Sequence, residues 1–241
     1  GLQHFSSSVK KVRYLTMYRR LLEDMLPHVR ERLHQAAARA NRSPDEVRLV
    51  VVTKGHPVEA IEAALAMGLR DLGENRLEEL AAKAGQVMPS SVNWHMVGHL
   101  QRRTAPRVRE FASLVHSLDS IRLAERLERT APVGVPPLRL LVQVNVSGEG
   151  SKSGFSPEEL FWALERLLGF GTLRVEGLMT IAPFTQDEGI IRRTFSDLRG
   201  LQEEAAERFP EFRGKELSMG MSNDYEHAII HGATLIRLGT A

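Results

Sequence analysis

The stretch that decides the fold is EVRLVVVTK, at residues 46–54. It is short, rich in β-branched residues and continuously apolar at its centre, which together indicate a fully buried strand. Before it, apolar residues recur at intervals of three and four positions from Met17 to Ala37, and this period predicts a helix that ends near Asn41. After it, Pro57 starts a second helix that Gly68 ends.

The same strand and helix unit recurs to the end of the chain. Seven further strands are predicted within residues 69–73, 92–98, 113–118, 138–146, 173–181, 216–220 and 234–239. Helices are predicted between them at 76–87, 101–111, 120–130, 156–168, 186–209 and 224–231. Eight strands that alternate with helices in 241 residues predict an α/β fold, a single-domain (β/α)8 TIM barrel with a parallel sheet. We disfavour an open doubly wound sheet because no glycine-rich dinucleotide motif follows the first strand.

Composition excludes several classes of protein. The chain has no cysteine, which removes disulfide scaffolds, thiol catalysis and cysteine-bound metals. Its formal net charge of +2 gives no support for nucleic-acid binding. No apolar run reaches the length of a membrane span and no signal peptide is recognisable, so we expect a soluble, cytoplasmic protein. Residues 1–16 lack clear periodicity, and we interpret them as a leader or tag-like extension that precedes a barrel of residues 17–241.

Lys54 stands at the carboxyl end of the first strand, where barrel active sites form. Lysine is scarce here, with six lysines among 32 basic residues. Apolar residues precede Lys54, and desolvation beside them would favour the neutral amine, which is a nucleophile that can form a Schiff base. An arginine at this position would stay protonated and could not do so. The alternative is a surface lysine whose stem covers apolar residues, and both interpretations are open at this point.

The turns after the seventh and eighth strands have the composition of an anion site. The first of them contains hydroxyls and glycine at Ser218, Gly220 and Ser222, with Ser222 or Asn223 placed to cap the next helix. Gly239 and Thr240 add an amide and a hydroxyl, and phosphate commonly binds at these loops in barrels. Strands 8 and 1 are neighbours in a closed barrel, so a lysine beside a phosphate site predicts a phosphorylated aldehyde such as pyridoxal 5'-phosphate (PLP). An ordinary cap and turn is the open alternative.

Other strand ends offer further candidates. Arg237 lies two residues before Gly239, so both face the same side of strand 8, where a guanidinium would keep a pyridine nitrogen unprotonated; pairing with a carboxylate is the alternative. His95 and His99 either line the pocket or satisfy hydrogen bonds in the core, and no third ligand at a suitable spacing supports a metal site. Asn75 is placed to donate to a phenolate oxygen of the ligand.

Seven segments together resemble one family. From about Met17 to Ala241, the chain is similar to the YggS/PROSC family of pyridoxal phosphate homeostasis proteins in VVTKGHP, LGENR, WHMVGHLQ, QVNVSGEGSKSGF, GLMTIAP, LSMGMSNDYEHAI and TLIRLGTA. The resemblance implies a barrel like the N-terminal domain of alanine racemase, fold type III among PLP proteins, with PLP on Lys54. It implies further cofactor contacts at Asn75, His95, Ser218, Met219, Ser222, Arg237, Gly239 and Thr240.

The resemblance also sets the functional expectation. It implies a PLP-binding protein of intracellular vitamin B6 and amino-acid homeostasis, without established turnover, that exchanges PLP with PLP-dependent apoenzymes or the free pool as a monomer or weak dimer. The alternatives are a PLP-dependent amino-acid racemase that uses Lys54 with His95 or Tyr225, and an interaction scaffold. Alanine racemases add a second β domain with a catalytic tyrosine; because this chain ends at Ala241, we expect none here.

Overall fold

The computed structural model describes residues 2–150 and 152–240, and within those ranges it contains a closed parallel barrel. The strands are β1 Arg48–Val52, β2 Asp71–Glu74, β3 Asn93–Met96, β4 Leu114–Leu118, β5 Leu138–Gln143, β6 Leu173–Met179, β7 Glu216–Ser218 and β8 Leu235–Gly239. The α-helices are α1 Leu2–Arg39, α2 Val58–Ala66, α3 Leu77–Ala84, α4 Ile121–Thr130, α5 Pro157–Leu167, α6 Glu188–Arg208 and α7 Tyr225–Ile230. Strands pair in chain order and β8 closes onto β1. The predicted (β/α)8 barrel is confirmed.

Side-chain caps fix where several helices begin. Ser120 accepts a hydrogen bond from the backbone of Leu123 at the start of α4, and Asp187 caps α6 in the same way. At α5, Ser156 and Glu159 form a capping box, each satisfying a backbone donor at the helix start. These caps set the helix starts within two residues of their predicted positions.

Two elements differ from the prediction. Helix α1 begins at Leu2, so residues 2–16 continue the first helix, and Tyr14 and Leu15 pack against the core; Met17 is therefore not a structural boundary. The predicted helix at 101–111 is instead a 3-10 helix, Ala105–Glu110, without a side-chain cap. Pro106 stands in the first turn of this 3-10 helix, where its missing backbone N–H costs no hydrogen bond. None of the helices in the described ranges is long and apolar enough to cross a membrane.

The strands divide the core into two layers. A small cluster inside the barrel consists of Val50, Leu114, Leu141, Met179 and Leu235. The alternate strand positions point outward and join the helices in a much larger apolar cluster. Buried polar side chains lie inside the barrel beside this cluster, among them His95, His116 and Arg237, and the candidate site lies at the carboxyl ends of the strands.

Candidate functional site

A cavity of about 410 Å³ opens at the carboxyl ends of the barrel strands. It brings together five predicted site residues, which are Lys54, Asn75, Ser222, Arg237 and Gly239. Three side chains that carry positive charge line it, namely Lys54, Lys152 and Arg237, and the described lining residues include no carboxylate. The cavity is therefore built for an anionic ligand.

Lys54 reaches the cavity from just beyond the end of β1. Val52, Val97 and Val144 supply apolar wall around it. The Lys54 side chain is exposed, and no hydrogen bond among the described residues involves its ammonium group. An amine without a partner beside apolar wall is available to react with a carbonyl group.

A buried lysine in α3 contacts the residue that precedes Lys54. Lys83 in α3 is 5% exposed, and its ammonium donates to the carbonyl of Thr53 at 2.6 Å, to Glu74 at 2.6 Å and to Glu79 at 2.9 Å. The Thr53 hydroxyl also donates to Glu74, and the Glu79 carboxylate accepts from the amide of Gly55 at 2.7 Å. The two residues that flank Lys54 are thus both held by one buried charge network.

Of the two acids in this network, Glu74 is the one whose pKa is raised by burial. Desolvation raises the pKa of Glu74, although hydrogen bonds from Lys83 and Thr53 oppose that rise. The Oε2 atom of Glu74 is buried without a hydrogen-bond partner in the described structure. The Glu79 carboxylate is less buried, and the hydrogen bond from Lys83 is the main influence that lowers its pKa.

The loop after β7 places hydroxyl and amide groups at the cavity, but not as a helix cap. Asp224, rather than Ser222 or Asn223, is the N-cap residue of α7, and its carboxylate accepts from the amide of Met221 at 2.7 Å. Ser222 is therefore free of the capping role predicted for it. Gly220 has a φ of 102°, and a Cβ there would lie 2.7 Å from the Cβ of Ala228, so only glycine fits this turn.

Arg237 on β8 is 4% exposed and lines the floor of the cavity. Its guanidinium donates to the hydroxyl of Ser218 and, at 3.1 Å, to the carbonyl of Thr180. Burial lowers its pKa to about 10, with the charge of Asp224 opposing the shift, so it remains a cation at neutral pH. Gly239 lines the same cavity, as expected because it shares one face of β8 with Arg237.

Four predicted contacts lie outside the set of residues that line the cavity. His95 is 2% exposed inside the barrel, where it contacts Asp71 and His116, each at 2.8 Å, so it satisfies core hydrogen bonds instead of lining the pocket. Ser218 is buried beneath Arg237. The side chain of Met219 belongs to the outer apolar cluster. Thr240 is 2% exposed, and its hydroxyl has no partner among the described residues.

The loop after β5 adds residues that the sequence did not mark as cofactor contacts. Lys152 lines the cavity, with its ammonium nitrogen 3.4 Å from a carboxylate oxygen of Glu149. Asn145 also lines it and donates to the carbonyl of Glu149 at 2.8 Å, which holds the loop in place. The conformation of this loop, which the sequence does not reveal, places the Lys152 side chain at the cavity. His99, for which the sequence left both a pocket position and a core position open, lines the cavity as well.

Comparisons with known proteins agree with this geometry. Residues 25–241 match the family described as alanine racemase, N-terminal domain. The chain is 39% identical over 220 residues to the pyridoxal phosphate homeostasis protein of Pseudomonas aeruginosa, which covers 91% of this chain and 94% of that relative.

Two solved structures have the same fold at similar identity. An unknown protein from Bifidobacterium adolescentis is 34% identical with a TM-score of 0.87, covering 93% of this chain and 95% of that one. PipY of Synechococcus elongatus, solved with PLP bound, is 36% identical with a TM-score of 0.77, covering 88% and 98%. The resemblance to the YggS/PROSC family is thereby confirmed: the chain belongs to the alanine racemase N-terminal domain family and, within it, to the pyridoxal phosphate homeostasis proteins.

Proposed function

We propose that this chain binds PLP in the barrel cavity, holds it as a Schiff base on Lys54, and serves PLP and amino-acid homeostasis by storing and releasing the cofactor. The observation that supports this most is the lining of the cavity, which combines an unpaired lysine with two further cations and no carboxylate among the described residues. PLP supplies an aldehyde for the amine and a phosphate for the cations. The solved relative PipY binds the same cofactor.

The residues present fit the parts of PLP. Ser222 and the backbone around Gly239 line the cavity and are donors suited to a phosphate, and Lys152 adds a cation. Thr240, whose hydroxyl has no partner among the described residues, follows Gly239 directly but lies outside the lining residues. Arg237 is a buried cation that would donate to the pyridine nitrogen, which keeps that nitrogen unprotonated and the ring a poor electron sink.

A racemase is the less supported alternative. It needs a second acid-base group, for which the sequence offered His95 or Tyr225. His95 lies inside the barrel and Tyr225 is 4% exposed in the outer apolar cluster, so neither of these two groups lines the cavity. His99 does line it, and a direct assay therefore decides between the two functions. A measured exchange of the α-proton of L-alanine in deuterated water well above that of free PLP would instead favour the racemase.

The Schiff base is tested by absorbance and covalent trapping. Protein purified with PLP should absorb at about 420 nm, as PLP imines do. Borohydride reduction should leave a PLP adduct on the peptide that contains Lys54. In Lys54→Ala both signals should vanish, whereas Lys215→Ala, which changes an exposed lysine away from the cavity, should retain them. Absence of band and adduct in the unaltered protein would refute PLP binding through Lys54.

Transfer to apoenzymes is the functional consequence of the same proposal. A PLP-dependent apoenzyme mixed with the loaded protein should regain activity. A rate faster than release of PLP into solution would show direct transfer, and an equal rate would show supply through the free pool.

A further inference from the structure

A histidine and an aspartate form a hydrogen-bonded pair at the edge of the cavity. His99 lines the same cavity as Lys54, and its Nδ1 lies 2.7 Å from Oδ2 of Asp119. No other hydrogen bond to the His99 ring occurs among the described residues, so the carboxylate holds the proton on Nδ1 and leaves Nε2 as a free acceptor. Among the described lining residues, His99 is the one histidine.

The backbone that carries His99 is fixed on two sides. A Cβ at Gly98 would lie 2.0 Å from the carbonyl oxygen of Asn75, so this turn is pressed against the end of β2 and requires glycine. Ser117 in β4 donates to the Gly98 carbonyl at 2.6 Å. An imidazole on such a support is held in place, as an acid-base group must be.

The partner carboxylate is equally well fixed. Asp119 directly follows β4 and directly precedes Ser120, the N-cap residue of α4. Its side chain is 9% exposed, whereas that of His99 is 60% exposed. A mostly buried acid therefore orients an accessible imidazole, which differs from a surface ion pair between two mobile side chains.

We propose that His99 is a catalytic residue for loading and release of PLP, with Asp119 as its positioning residue; this rests on the proposed function of Lys54. When the carbon–nitrogen double bond to Lys54 forms, the aldehyde oxygen must leave as water. Water needs two protons, and both come from Lys54: His99 Nε2 takes each proton from Nζ in turn and passes it to the departing oxygen, so the imidazole ends as it began. Release is the reverse: His99 carries both protons of the attacking water to Nζ, one after the other, and the water oxygen becomes the aldehyde oxygen.

A catalyst of exchange changes rates and leaves the equilibrium unchanged, which sets the test. In His99→Gln, stopped-flow measurement should show the association and dissociation rate constants for PLP falling in parallel by about 100-fold, while Kd stays the same. His28→Gln, which changes an exposed histidine of α1, should leave both rates unchanged. In His99→Ala, added imidazole should restore part of the lost rate.

The role of Asp119 has its own readout. Asp119→Asn should slow both rates, move the ring proton of His99 to Nε2 as read by nitrogen-15 NMR, and add nothing in the double variant with His99→Gln. A weaker Kd with an unchanged association rate would overturn the proposal, because it would make His99 a binding contact. Unchanged rates in His99→Gln would overturn it as well. In both cases the absorbance band and the Lys54 adduct would persist, so failure of the proposed role of His99 can be distinguished from failure of PLP binding on Lys54.

Discussion

Lys54 and Lys83 show how surroundings decide what the same side chain does. Lys54 is exposed to the cavity without a hydrogen-bond partner among the described residues, so its amine is free to react. Lys83 is 5% exposed and gives hydrogen bonds to three acceptors, so its charge is fixed and serves the structure. The strand position of Lys54 made it predictable. The role of Lys83 depends on Thr53 and Glu74, distant contacts that no local pattern shows.

Ser222→Ala tests the phosphate side of the site. Ser222 is exposed at the cavity and is not used as a helix cap, so its hydroxyl is available to the ligand. Loss of one hydrogen bond to a phosphate should weaken PLP binding by about 1.5 to 3 kcal/mol. Fluorescence titration measures Kd, with Ser196→Ala on the exposed face of α6 as the matched control. Equal affinity in Ser222→Ala and the unaltered protein would remove Ser222 from the set of phosphate contacts.

At the scale of elements, the sequence predicted strands better than loops. Apolar, β-branched runs such as that of β1 stand out because both faces of a barrel strand are buried. The sequence left both a pocket position and a core position open for His95, because the contacts with Asp71 of β2 and His116 of β4 that hold it inside the barrel are not visible in a local pattern. Lys152 was missed because its loop is shaped by the hydrogen bond from Asn145 to Glu149.

The junction of β1, β2 and α3 depends on the charge of Lys83. Lys83→Met should leave the buried Glu74 carboxylate unpaired and lower the free energy of unfolding by about 3 kcal/mol or more. Glu74→Leu combined with Lys83→Met should recover most of that loss, because it removes both charges. Urea denaturation measures both, with Lys215→Met as the exposed control. A loss in Lys83→Met no larger than that of the control would contradict this role for the network.

At the scale of the whole molecule, a column of polar side chains crosses the barrel interior from one end to the other. It begins at Asp71, continues through His95 and His116 at 2.8 Å each, passes to Ser218 at 2.7 Å, and ends at Arg237 in the cavity floor. This column of hydrogen-bonded side chains links the amino-terminal end of the barrel with the ligand site. It replaces apolar packing at the centre of the fold with hydrogen bonds that require His116 to stay neutral.

That requirement predicts how stability depends on pH. Burial, followed by the charges of His95, Arg237 and Arg48, holds the pKa of His116 well below its usual value of 6.5. The unfolded chain therefore binds a proton near pH 6.5 that the folded barrel binds only at much lower pH. The contribution of His116 to the free energy of unfolding is complete above pH 6.5. At lower pH this contribution decreases by about 1.4 kcal/mol for each pH unit, until the pH reaches the pKa of His116 in the folded protein.

His116→Gln isolates this contribution, because glutamine keeps hydrogen-bonding groups in the barrel but does not titrate. Urea denaturation of protein without PLP, repeated from about pH 6.5 to pH 5, should give a slope of unfolding free energy against pH that is smaller in the variant by up to about 1.4 kcal/mol per unit. His28→Gln on α1 should keep the original slope, since that residue is exposed. If His116→Gln kept it too, the folded barrel would take up the proton as readily as the unfolded chain, and a neutral His116 would not be what holds the interior column together.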